Sequence, residues 1–151
     1  MKKADVKKLT SQFEGFCLEQ GLRATEPRKH VLEIVAANKK PATAYDVLEL
    51  LGKRMPQPKP PTVYRAISFL QEHGFVHRIE SLNAYVVCCQ GNHPGHHHSG
   101  SQFFVCDDCG RVEEVHPVSI PAHITSQAEQ SNFKVRQWFA ELHGSCAECK
   151  S

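Results

Sequence analysis

Apolar residues recur at intervals of three and four from Val6 to Leu18, through Leu9, Phe13, Phe16 and Cys17, the spacing of a single buried helical stripe. Gly21 closes that helix. A second stripe, Val31, Leu32, Ile34 and Val35, follows Thr25 at an N-cap position and Pro27 in the first turn. In TAYDVLELL, Thr43 can cap a third helix and Asp46 stands where the capping-box acid belongs, with Val47, Leu48 and Leu51 on one face. PPTVYRAISFLQEHG opens on two prolines and ends at Gly74; Val63, Ile67 and Leu70 face inward, and Tyr64, Arg65 and Ser68 outward. The period then changes: FVHRIE and AYVVCC, joined by SLN, predict a two-stranded hairpin. Helices followed by such a hairpin predict a winged helix, assigned to residues 1–82.

Residues 83–151 read differently. QGNHPGHHHSGSQ has loop composition, so a strand is expected to resume only at FFVC, with RVEEV as its partner. VSIPAHITSQAEQSN predicts a helix, FKVRQWFAEL a strand and HGSCAECKS a terminal turn. No repeat or coiled-coil heptad is present. The expected fold class is α+β, a winged-helix domain followed by a small α/β domain.

Composition sharpens this division. Residues 1–81 carry a net charge of +5 and residues 82–151 a net −3, while six of the seven cysteines and seven of the ten histidines lie beyond residue 82. Two halves with two chemistries are implied. No run of about 18 uninterrupted apolar residues occurs, and MKKADVKKLTSQFEGF lacks the apolar core of a signal peptide. The expected compartment is the cytoplasm, with no membrane partner. Thiols stay reduced there, so the cysteines point to metal ligation before disulfides.

Cys106-Asp-Asp-Cys109 is paired with Cys146-Ala-Glu-Cys149 across 36 intervening residues. A CxxC turn aims two thiolates at one point, and two such turns supply the four soft ligands of a closed structural zinc site. A thioredoxin-type redox pair would want one CxxC before a helix in a βαβ context. A zinc deaminase would need His-x-Glu, which the chain lacks. Four cysteines leave no position for a reactive water, so no enzyme activity is expected.

A second, more diffuse set of donors comprises His77, Cys88, Cys89, the run His96, His97 and His98, and Glu113 and Glu114. Mixed nitrogen, sulfur and oxygen donors suit a less permanently held zinc, as a sensor requires. Each also has a plain structural reading: an exposed wing histidine, a small buried thiol, a solvated loop, surface carboxylates. On the fourth helix, Tyr64 and Arg65 face outward near the N-terminus, where a recognition helix meets the major groove. Tyr45 could reach the same groove, and Arg23, Arg28 and Lys59 are candidate phosphate contacts. Charge alone leaves a solvated basic face equally open.

The stretches GLRATEPRKHVL, TAYDVLELL, KPPTVYRAISFLQEHGFVHRIES and NAYVVC, with the two CxxC pairs, resemble the ferric uptake regulator family over nearly the full chain, and within it the zinc uptake branch. The resemblance implies a homodimer, with residues 83–151 as its dimerisation domain, that binds A/T-rich palindromic double-stranded DNA operators when zinc-loaded and represses zinc uptake genes. It implies two zinc ions per subunit. Cys106, Cys109, Cys146 and Cys149 would hold the structural one, and His77, Cys88, Glu114 and one histidine of 96–98 the regulatory one, His98 taken first. Tyr45 and Arg65 would read bases. The departure lies before the first CxxC: iron-type members carry His-His-x-His close to it, whereas here SGSQFFV intervenes, which favours the zinc branch. The alternatives are a family member sensing iron, manganese, nickel or peroxide, and a zinc-buffering protein exploiting HPGHHH.

Overall fold

The computed structural model describes residues 3–88, 100–115, 120–136 and 138–150. The chain divides into two compact units, Met1–Gly95 and His96–Ser151.

In the first unit, α1 (Lys3–Glu19), α2 (Glu26–Ala37), α3 (Ala44–Gly52) and α4 (Pro60–Glu72) follow the four stripes read from the sequence. They enclose one core containing Phe13, Val31, Leu32, Leu51, Val63, Ile67, Leu70 and Phe75. Phe13 meets Phe75 edge-on at 4.8 Å between ring centroids, and burying each such ring contributes roughly 1.5–3 kcal/mol. Gly74, at φ +73°, ends α4 with the Phe75 amide donating back to Leu70 O at 2.8 Å, a reversal only a residue without Cβ makes at no cost. That reversal launches β2 (Val76–Ile79), which pairs antiparallel with β3 (Ala84–Val87). The link between them is a turn of 3₁₀ helix, Glu80–Leu82, closed by Asn83 in the left-handed region. β1 (Ala42–Thr43) adds a third strand on the other side of β3. Two residues are too few to show a period, and β1 is absent from the sequence reading. The sequence boundary after residue 82 would detach β3 from its sheet, and the first unit runs past it to Gly95.

In the second unit, β4 (Gly100–Cys106) is central, with β5 (Val112–Val115) antiparallel on one side and β6 (Trp138–Gly144) parallel on the other. The parallel return needs a crossover, which contains α5 (Ala122–Gln130). Two expectations shift. β4 begins at Gly100, three residues before FFVC, because the parallel ladder to β6 runs back to Gly100 opposite Trp138 whatever the loop-like composition there. β6 starts at Trp138, and Phe133 instead belongs to the end of α5: Asn132 is left-handed at φ +51° and the Phe133 amide donates to Ala128 O at 2.8 Å.

The capping box on α3 is complete. Asp46 N donates to Thr43 Oγ1 at 3.1 Å, and Asp46 Oδ2 accepts from Thr43 N at 2.9 Å and from Thr43 Oγ1 at 2.6 Å. These bonds hold the Asp46 carboxyl below the usual carboxylate range. Thr43→Ala is therefore expected to cost about 1 kcal/mol in urea unfolding. The unfolded chain binds the Asp46 proton more readily, so this contribution is present at neutral pH and is lost as pH falls below about 4. An unchanged urea midpoint in the variant would refute this account of the cap.

Candidate metal centre and nucleic-acid interface

Cys106 ends β4, and the chain turns through Asp107 and Asp108 to Cys109 and then Gly110 at φ +72°. The Gly110 amide donates to Cys106 O at 2.9 Å and the Cys106 amide to Arg111 O at 2.9 Å, so the turn closes on itself. Cys146 and Cys149 lie on a matching turn just beyond β6, where the Cys149 and Lys150 amides donate to Cys146 O. Because β4 and β6 are parallel and in register to Cys106 opposite Gly144, both turns arrive at the same end of the sheet.

The four sulfurs lie within 4.8 Å of one another, and none of the four cysteines is in a disulfide. Two thiolates on a tetrahedral zinc, each about 2.3 Å from the ion, stand about 3.8 Å apart. Cys109 Sγ and Cys146 Sγ are 3.8 Å apart. The donor set fits zinc in type and in spacing. Its charge is partly prearranged: the Cys146 amide points at Cys106 Sγ at 3.2 Å, and amide bonds of this kind lower Cys106 to about 6. Cys149 is the thiol that donates toward the Cys146 and Cys109 sulfurs, which pushes it up to about 12.

Two further contacts join the turns. Arg111 Nη2 bonds Glu148 Oε2 at 2.5 Å, and His143 Nδ1 lies 2.8 Å from Asp107 Oδ1. The Asp107 carboxylate raises the His143 pKa, so the ring favours its charged form there. Sequence reading missed these four residues, since no local pattern links partners 36 or 37 positions apart.

The mixed-donor set is distributed over both units. In the first, Val76 pairs with Val87, and the Cys88 amide continues the ladder to Phe75 O at 3.0 Å. His77 and Cys88 are thus diagonal neighbours on one face of the hairpin. Both are buried, with ligand atoms within 4.8 Å of each other. In the second unit Glu114, half-buried, stands opposite Phe103 on β4, and Glu113 stands opposite Phe104 on the other face. Cys89, His96, His97 and His98 lie outside the described residues.

The outward set of the first unit is open to solvent. Tyr45, in the first turn of α3, is 78% exposed, and Tyr64 on α4 is 55% exposed. Arg65, Lys59 and Arg23 are also exposed. Lys59 is the N-cap of α4, which has prolines in its first positions, no side-chain cap and no acidic residue in its first turn. Arg28 is placed differently: it is half-buried, with its guanidinium over the Phe69 ring.

The ferric uptake regulator family model matches residues 19–143. The chain belongs to the ferric uptake regulator family. It is similar to the zinc uptake regulation protein of Escherichia coli K12, 40% identical across 99% of this chain and 85% of that protein. A ferric uptake regulation protein of Cupriavidus metallidurans is 31% identical across 85% of this chain and 87% of its own. Among solved structures, a zinc uptake regulator complexed with zinc and DNA superposes with a TM-score of 0.87 at 40% identity, covering 95% of this chain and 94% of that one. The holo form of XcZur superposes with a TM-score of 0.81 at 34% identity, covering 98% of both chains. No described helix is long and apolar enough to cross a membrane.

For this member of the ferric uptake regulator family, the thiol geometry predicts a pH dependence. A proton held on Cys149 must leave when zinc binds, because only the thiolate ligates. Zinc added to metal-free protein at pH 7 is expected to acidify an unbuffered solution, and affinity measured against a competing chelator should fall as pH is lowered. Cys109→Ser should remove one zinc per chain in native mass spectrometry. Retention of the full zinc content by that variant would refute the four-cysteine site.

Proposed function

We propose that this chain is a zinc-responsive, DNA-binding transcriptional repressor of zinc uptake genes, acting in the cytoplasm as a homodimer and not as an enzyme. The observation that carries the reading is the nearly full-length likeness to a zinc uptake regulator complexed with zinc and DNA. It is supported by an outward α4 face that offers Tyr64 and Arg65 while the opposite face is buried in the core.

In this reading each subunit takes two zinc ions. Cys106, Cys109, Cys146 and Cys149 hold the structural one. His77, Cys88, Glu114 and one of His96, His97 or His98 hold the regulatory one, and the soft Cys88 thiolate favours zinc over iron or manganese. Arg65 takes a guanine edge bidentately, Tyr45 and Tyr64 contact bases or phosphate, and Lys59 and Arg23 contact phosphate. The operator is A/T-rich and palindromic, matching the two-fold symmetry of a dimer.

Fluorescence anisotropy of a labelled zinc-transporter promoter duplex, titrated at buffered free zinc, tests this. Binding should appear only as zinc rises, with no response to iron(II) and none on a scrambled duplex. Arg65→Ala should lose operator binding with zinc content unchanged, and Cys88→Ser should lose the zinc response while keeping the structural ion. Binding indifferent to zinc would overturn the sensor and leave a buffering role.

The dimer is supported by the second sheet. Phe104 and Leu142 are cross-strand neighbours in register and are 44% and 46% exposed in the isolated chain. Adjacent apolar side chains on one open face call for a cover. Phe104→Asp is expected to convert the dimer to a monomer in sedimentation. A variant that still sediments as a dimer would move the interface elsewhere.

A further inference from the structure

Arg28 shares its charge with the candidate phosphate contacts but not their surroundings. It lies in the first turn of α2 with Cζ 3.4 Å from the centroid of the Phe69 ring. Its Nη1 donates to Arg23 O at 2.6 Å. A planar guanidinium laid on an aromatic face makes a cation–π contact that a lysine ammonium does not reproduce in shape. Phe69 in turn meets His73 at 4.4 Å and Phe13 edge-on at 6.2 Å, and His73 meets Phe16 at 5.4 Å. Edge-on and tilted ring contacts therefore link α4 to α1, and the Arg28 guanidinium of α2 lies over Phe69 at their end. Phe69 follows Arg65 by four residues, one turn further along the same side of α4.

We propose that Arg28 is a positioning residue for DNA reading: stacked on Phe69, it fixes the rotation of α4 about its axis, and so where Arg65 and Tyr64 arrive, without itself touching DNA. This rests on the DNA-binding function proposed above. Side chains that read a partner must be held within about 10–20° of their productive orientation. The core contacts of Val63, Ala66, Ile67 and Leu70 hold the inner side of α4, and the Arg28 guanidinium, held between the Phe69 ring and the Arg23 carbonyl, braces the half-buried flank of the helix that they leave.

The test uses the full-length, zinc-loaded protein, with anisotropy on the promoter duplex and on a scrambled duplex over a salt series. Arg28→Ala and Phe69→Leu should each weaken operator binding roughly tenfold. Scrambled-duplex binding and the slope of log K against log salt should stay unchanged. The double variant should lose no more than the weaker-binding single one, because both act through one contact. Arg28→Lys, which keeps the charge but not the plane, should behave like Arg28→Ala. A phosphate contact would give the opposite set: Arg28→Ala lowering the slope magnitude by about 0.9, equal losses on both duplexes, Arg28→Lys rescued and Phe69→Leu silent. Equal losses that track the folded fraction in circular dichroism would mark a packing role only and also overturn the proposal. If the wild-type chain binds neither duplex specifically, the DNA-binding function falls and this inference with it. With wild-type binding intact, a negative result counts against Arg28 alone.

Discussion

Helix α4 has to be buried on one side and bare on the other, and the first unit is arranged around that constraint. Val63, Ala66, Ile67 and Leu70 are buried, which anchors the helix, while Tyr64, Arg65 and Ser68 stay exposed. Such a helix gains its stability from tertiary packing, since thirteen residues in isolation are marginal. α1, α2 and the hairpin supply that packing through Phe13, Phe75 and the aliphatic side chains of α2. α3 packs into the same core through Val47 and Leu51, and the Thr43–Asp46 box caps its start beside Tyr45.

The second unit buries far less of its apolar material and rests on a different solution. Among its described residues, the buried hydrophobics are Phe103, Val105 and Cys106, all on β4. A sheet this poor in core needs a second source of stability, which the proposed tetrathiolate zinc site would supply as folding free energy. The position of the knuckles at one end of β4 and β6 is then economical: the parallel register that brings Gly144 opposite Cys106 is the register in which four sulfurs meet. Arg111 and Glu148 bridge the same turns with an exposed ion pair, whose contribution is small.

The sequence was most readable where structure is local. The α1 to α4 stripes, the Thr43 cap, Gly74 and the two CxxC turns each lie within one stretch of chain, and each has its own residue signature. Residues determined by distant partners were not readable. β1 exists because β3 lies beside it, Gly100–Gln102 are strand because β6, and at Gln102 also β5, holds them, and Arg111 meets Glu148 only after the sheet forms. Arg28 is a subtler case. Its residue type suggested phosphate, and only its neighbours, Phe69 and the Arg23 carbonyl, distinguish it from the exposed cations around it.

Chain connectivity gives a reason why the proposed sensor sits where it does. His77 is three residues after Gly74, the residue that ends α4, and Cys88 is tied by its amide to Phe75. A metal ligated by both side chains would therefore act on the strand pair that leaves α4 directly. Ligation favours whichever arrangement of the chain brings the remaining donors to the ion, and only the difference in affinity between arrangements can shift the population. The thiolate knuckle is unsuited to that task, because four soft ligands held in one rigid turn pair bind too persistently to follow a changing zinc supply. The proposed division of labour between a four-sulfur site and a mixed-donor site would thus follow from ligand chemistry: one would stay filled for the fold to persist, and the other would empty for the protein to respond.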